Sequence, residues 1–142
     1  MAASLTLRVI TPERIVLDAE VSSISIPATD GGIGILPRHA PMIAALDTGL
    51  LRYKLGGKSH VMFVSGGFCE VRGATVRIVT EAGERPEEID EERVKEAEQR
   101  ARERLRSGQV TEGEPLDLLR AEAALRRAMW RMKAAEFHAN SK

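Results

Sequence analysis

Hydrophobic residues change their period once along this chain. Over residues 4–81 they fall in short runs broken by turn residues. LTLRVIT alternates, with Leu5, Leu7 and Val9 on one face; Thr11-Pro12-Glu13-Arg14 then reads as a turn and RIVLDA as a second strand. VSSISIPA places Val21, Ile24 and Ile26 near a two-residue stripe and ends at Pro27. In TDGGIGILPRHAPMIAAL, three glycines and two prolines lie close together. They forbid a long helix and favour tight turns around a short strand at residues 33–36. Further strands follow at GLLRYKL, SHVMFVS, GFCEVR and ATVRIVT, linked through Gly56-Gly57-Lys58, Ser65-Gly66-Gly67 and Arg72-Gly73. This spacing predicts eight or nine strands in an antiparallel sandwich or flattened barrel. No strand is followed by a helix, which argues against a parallel α/β sheet.

Near Gly83-Glu84-Arg85-Pro86 the pattern becomes helical and charged, dividing the chain into residues 1–85 and 86–142. EEIDEERVKEAEQRARERLRSG holds strong helix formers with no internal Gly or Pro and predicts a helix leaving at Ser107-Gly108. Its apolar face, Val94, Ala97, Ala101 and Leu105, carries only two branched side chains. A second helix opens at Glu114-Pro115 or at Asp117 and runs to about Phe137, with Leu118, Ala121, Leu125, Ala128 and Met132 in one stripe. Two shallow amphipathic helices predict an α+β chain whose helical part docks weakly enough to detach.

Charge adds a local asymmetry. Lys+Arg and Asp+Glu are both 21, so nothing global points to nucleic acid or an anionic membrane. Residues 85–114 hold seven basic and ten acidic side chains, and residues 115–142 six basic and three acidic. The helices can therefore fold back on one another, or the second can seek an acidic surface elsewhere. The single cysteine, Cys69, excludes an internal disulfide and a cysteine-rich zinc site. The start, MAASLTLRVITPER, lacks the pattern of a secretory signal, and no window approaches the roughly 20 apolar residues of a membrane span. The chain reads as soluble.

The run from Gly32-Ile33-Gly34-Ile35-Leu36-Pro37-Arg38-His39-Ala40-Pro41 on to Leu46 and Gly49 resembles the signature loop of the epsilon subunits of F-type ATP synthases. Ser65-Gly66-Gly67-Phe68-Cys69-Glu70-Val71 is similar to that family's second signature. The resemblance covers nearly the whole chain. It implies a sandwich of about ten strands followed by an α-helical hairpin. It also implies a non-catalytic rotor subunit between the gamma subunit and the c ring, peripheral on the cytoplasmic face of the bacterial plasma membrane and bound to it only through the complex. In that family the hairpin lies on the sandwich, or extends into the catalytic head and inhibits ATP hydrolysis. The same resemblance makes the exposed side of the glycine-rich loop the c-ring contact, with Asp30, Arg38 and His39 as candidates. Taken alone, that loop is a turn closing the sandwich, a poor phosphate cradle without a helix N-terminus beside it.

Some bacterial relatives bind ATP in the folded hairpin through Ile or Leu, Asp, two variable residues, Arg and Ala. In register, this chain offers Ile89, Asp90 and Arg93, with Glu84 before them and Arg100, Arg127 and Arg131 after; Val94 replaces the closing Ala. Several guanidiniums can share a triphosphate, and a carboxylate can accept hydrogen bonds from adenine or ribose. ATP is thus the expected regulatory ligand, and no cofactor is required. A literal match at residues 116–121 falls in the wrong helix. A plainer reading of these arginines is a solvated helix face with ion pairs of about 0.3–0.5 kcal/mol each. For the inhibitory contact with the alpha and beta subunits in the extended state, the candidates are Arg120, Arg126, Arg127, Arg131 and Lys133, a basic set suited to an acidic surface.

Among single residues, Cys69 is expected to be a buried small residue, and His60 and His138 surface groups. Trp130 is expected to pack on the partner helix or to stack with Arg126, Arg127 or Arg131. No constellation supports catalysis. A competing assignment is a stand-alone ATP-sensing module. A nucleic-acid binder is disfavoured by zero net charge and the lack of an aromatic-faced strand.

Overall fold

The structure, a computed structural model, describes residues 4–107 and 115–140, with the side chains of 115–117 excepted. Ten strands form two sheets of five. The first sheet holds β1 (Leu5–Ile10), β2 (Ile15–Val21), β5 (Met42–Ala45), β8 (Phe68–Arg72) and β9 (Thr75–Val79), in the order β2-β1-β9-β8-β5. The second holds β3 (Ser23–Ala28), β4 (Gly31–Ile35), β6 (Thr48–Leu55), β7 (Lys58–Ser65) and β10 (Ala82–Glu84), in the order β10-β7-β6-β3-β4. Alternate residues of both sheets meet in one core that includes Leu5, Leu7, Val9, Ile26, Leu51, Met62 and Ile78. Cys69 is buried there, and burial first, then the Glu70 carboxylate, pushes its thiol up to about 11.

The sandwich is antiparallel except at one seam, where β1 runs parallel to β9, Leu7 opposite Val76 and Val9 opposite Ile78. β1 pairs β2 on one edge, and the direction of β9 on the other is fixed by its tight hairpin with β8. β4 begins two residues earlier than expected, at Gly31. β5 and β10 were not singled out by pattern: MIAA is half exposed, and AGE is a three-residue edge strand. Gly67 enters β8 at φ +98°, where a Cβ would lie 1.9 Å from the Val79 carbonyl oxygen. Only glycine fits.

After β10 comes a 3-10 turn, Pro86–Glu88, and then α1 (Glu91–Ser107) and α2 (Pro115–Asn140). The helical pattern begun at residue 87 in the sequence therefore becomes a continuous helix only at Glu91. Asp90 is the reason: its Oδ1 accepts the Arg93 backbone N–H at 3.2 Å and its carbonyl oxygen accepts that of Val94 at 3.0 Å, capping α1. The proposed exit at Gly108 and entry at Glu114 lie outside the described residues. The helices pack as a hairpin. Val94 and Ala101 are buried on α1, and Ala121, Ala128 and Ala135 on α2. Three alanines seven residues apart let the two backbones approach but bury few methyl groups.

Candidate functional site

The run Val61-Met62-Phe63-Val64 of β7 is buried on both faces of its sheet. Met62 and Val64 enter the sandwich core, whereas Val61 and Phe63 point outward into a second cluster with Ala134 of α2. Leu50, Ala82, Ile89, Trp130 and Phe137 pack around it. Trp130 thus packs on the sandwich cluster, and its ring takes Lys133 Nζ at 4.5 Å. The expected stripe along residues 118–132 forms the seam with α1 in part: Ala121 and Ala128 are buried, but Leu118 is 38% exposed. The face that meets the sandwich is a different one, Trp130, Arg131, Ala134 and Phe137. Its signal was the unbroken apolar run in β7, since a sheet face with no cover alternates with polar residues.

Polar contacts ring this small apolar seat. Arg131 donates from Nε to Glu84 Oε2 at 3.0 Å, and its guanidinium lies 4.5 Å from the Phe63 ring centroid. Arg126 reaches Asp47 at 4.0 Å, and the Arg52 guanidinium lies 5.7 Å from the Phe137 ring. The linker is held separately. Arg85 donates from Nη2 and Nε to the Val16 carbonyl oxygen at 2.6 and 3.2 Å, and Glu88 pairs with Arg14. The 3-10 turn is therefore fastened to the sandwich by bonds that do not involve α2.

The residues offered for nucleotide binding are brought together only in part. Glu84, Ile89 and Arg131 meet at the docking seat, but Glu84 and Arg131 already pair with each other. Asp90 precedes the helix instead of lying on its face, and its carboxylate is engaged in the cap. Arg93 is exposed and Arg127 half-buried on α2. Arg100 stands ten residues beyond Asp90, about 15 Å along a helix, beside a cavity of about 450 Å³ lined with Glu103, Arg104, Arg106 and Ser107.

The loop candidates separate as well. Asp30 is exposed in the turn before β4, while Arg38 and His39 follow its far end, on the order of 17 Å away for five strand residues. Arg38 has φ +70°, and His39 Nδ1 lies 2.7 Å from the Ala40 carbonyl oxygen. Leu36 and Ile43, beside that pair in sequence, are 64% and 75% exposed, an apolar surface the sequence reading passed over. The basic set on α2 divides too. Arg120 is exposed, and Arg126 and Lys133 line a cavity of about 360 Å³ with Leu125, Met129 and Trp130, while Arg131 turns to the sandwich. His60 is half-buried and stacked on Tyr53, with centroids 5.3 Å apart, so it is no simple surface group.

Fold and site together define a class: an all-β foot carrying a helical arm seated on it through a small, polar-rimmed contact. Comparison with known proteins agrees. The profile described as ATP synthase, Delta/Epsilon chain, beta-sandwich domain matches residues 4–86, and ATP synthase, Delta/Epsilon chain, long alpha-helix domain matches residues 87–136. An ATP synthase epsilon chain of Desulforamulus reducens is 44% identical over 136 residues, 96% of this chain and 100% of that one. Another, from Carboxydothermus hydrogenoformans, is 50% identical over 105 residues, covering 74% of this chain and 78% of its own. A chain in the cryo-EM structure of Euglena gracilis mitochondrial ATP synthase, OSCP/F1/c-ring in rotational state 1, matches with a TM-score of 0.76 and 27% identity, over 94% of this chain and 81% of that one. The chain belongs to the ATP synthase delta/epsilon family.

Proposed function

We propose that this chain is a non-catalytic subunit of the central stalk, or rotor, of a proton-translocating bacterial F-type ATP synthase. It couples the gamma subunit to the c ring and restrains ATP hydrolysis by moving its hairpin. The complex holds it at the cytoplasmic face of the plasma membrane; among the described residues no helix is long and apolar enough to cross one. The observation that carries the reading is the narrowness of the hairpin's seat: Ala134 is the α2 residue fully buried in the cluster with Val61 and Phe63, and the other α2 side chains there are partly exposed. So small a seat can open, with the linker still fastened through Arg85 and Glu88, and the freed basic face of α2 then meets acidic surface on the alpha and beta subunits.

No cofactor is needed for this role. ATP acts as a regulatory ligand, because Glu84, Ile89 and Arg131 converge in the docked state and a ligand bound there opposes extension. Titration of ATP into the isolated chain and into its Arg127→Ala variant tests that part, and heat in neither removes it. The main test is a motor reconstituted with the chain truncated after Pro86. Hydrolysis should rise while proton-coupled synthesis mostly survives; unchanged hydrolysis means the helices are not the brake.

A further inference from the structure

The outer face of the second sheet carries a cavity of about 260 Å³ beside the hairpin's seat, with which it shares Val61, Arg52 and Phe137. Strand register builds it. Lys54 stands opposite Ser23 on β3 and Ser59 on β7, and Arg52 stands opposite Ser25 and Val61. Opposite residues share a face, so two cations and three hydroxyls converge in two adjacent rows. Phe137 of α2 supplies a further wall, with the Arg52 guanidinium 5.7 Å from its ring. No lining residue is acidic. Among the described residues, no carboxylate lies within ion-pair distance of Arg52 or Lys54. A site with two positive charges, several hydroxyl donors and no internal counter-charge fits an oxyanion; a guanidinium fork with a neighbouring ammonium matches a phosphoryl group. The volume falls below the roughly 300–1,000 Å³ of pockets for drug-sized ligands, so the ligand is small.

We propose that this cavity binds a small organic phosphate, with Arg52, Lys54 and the serine hydroxyls on the phosphoryl oxygens and a ring of the ligand against Phe137. None of its lining residues belongs to the Glu84–Arg131 set, so the site is separate from the nucleotide contact proposed above. Because Phe137 comes from α2, the site is complete only while the hairpin is docked, and its ligand shifts the population toward the docked state. Phe137 lies in the last turn of α2, whose carbonyl end carries partial negative charge that attracts cations. The test must therefore distinguish a ligand site from cations that serve only the helix end.

Phenyl phosphate and inorganic phosphate are titrated calorimetrically into the full chain at low salt, with circular dichroism confirming the fold of each variant. Phenyl phosphate should bind more tightly than inorganic phosphate. Lys54→Ala should weaken it about tenfold, as the loss of one charge-assisted contact implies. Ser59→Ala, which removes no charge, should weaken it by a smaller factor. Lys58→Ala, an equal loss of charge at the start of β7, should leave affinity within about twofold, as an exposed charge outside the site contributes little. Absence of heat from both phosphates at millimolar concentration overturns the proposal. So does an equal loss in the two lysine variants, which marks unspecific attraction.

Discussion

Replacing Arg131 by alanine probes the seat of the hairpin where its energy is concentrated. The Arg131 side chain is 24% exposed and Glu84 31%, so the pair is neither fully solvated nor dry. Solvated pairs are worth about 0.2–1 kcal/mol and charge-assisted hydrogen bonds about 1.5–3, which places this half-screened pair near 1 kcal/mol. The contact with the Phe63 ring adds about 0.5–1 kcal/mol. Docking should therefore weaken by about 1.5–2 kcal/mol and the undocked population rise about 10- to 30-fold. Fluorescent labels on Lys58→Cys and Glu136→Cys, both exposed positions, report the distance between sandwich and α2, and buried Cys69 escapes labelling. Glu84→Gln keeps the shape of the pair, and a double-mutant cycle with Arg131→Ala separates the ion pair from the ring contact. Glu84 lies outside the basic surface assigned to inhibition. In the intact motor Glu84→Gln should thus lower hydrolysis, by freeing the hairpin without damaging its grip. An unchanged distance distribution in both variants would refute the energetic reasoning.

Other substitutions test the framework around this seat. Asp90→Ala should cost α1 about 1 kcal/mol, seen as an earlier loss of helical dichroism while the β signal persists. Gly67→Ala should cost more than about 4 kcal/mol, since a Cβ cannot coexist with the Val79 carbonyl; soluble yield and the melting temperature will show it. For Cys69 the folded state holds the thiol proton up to about 11, so the unfolded chain releases it first. Stability should then fall as pH rises from the ordinary thiol range toward about 11, and urea midpoints should show that part of the fall missing in Cys69→Ala.

Much of the sandwich was legible in the sequence, because alternating runs such as Leu5, Leu7 and Val9 map directly onto one buried face. The parallel β1–β9 seam was not, since alternation carries no strand direction. β10 was invisible because Ala82-Gly83-Glu84 has no apolar period and forms through its neighbour β7. The helices were legible through composition, yet the face of α2 that docks on the sandwich was not singled out. The stripe through Ala121 and Ala128 marks the seam with α1, whereas Ala134 and Phe137 acquire meaning only opposite Val61 and Phe63. The spatial arrangement of the site residues was the least legible. The family resemblance groups Asp30 with Arg38 and His39, which stand at opposite ends of β4, and it offers Asp90, whose carboxylate also caps α1.

A cross-link tests the mobile arm most directly. With cysteines at positions 84 and 131 joined by a short bismaleimide, the hairpin cannot leave the second sheet. Hydrolysis by the reconstituted motor should then rise to the level of the motor truncated after Pro86, while the same variant left unlinked, which keeps Arg120, Arg126, Arg127 and Lys133, remains more inhibited than the truncated motor. A locked motor that stays as inhibited as the unlinked one would contradict the account.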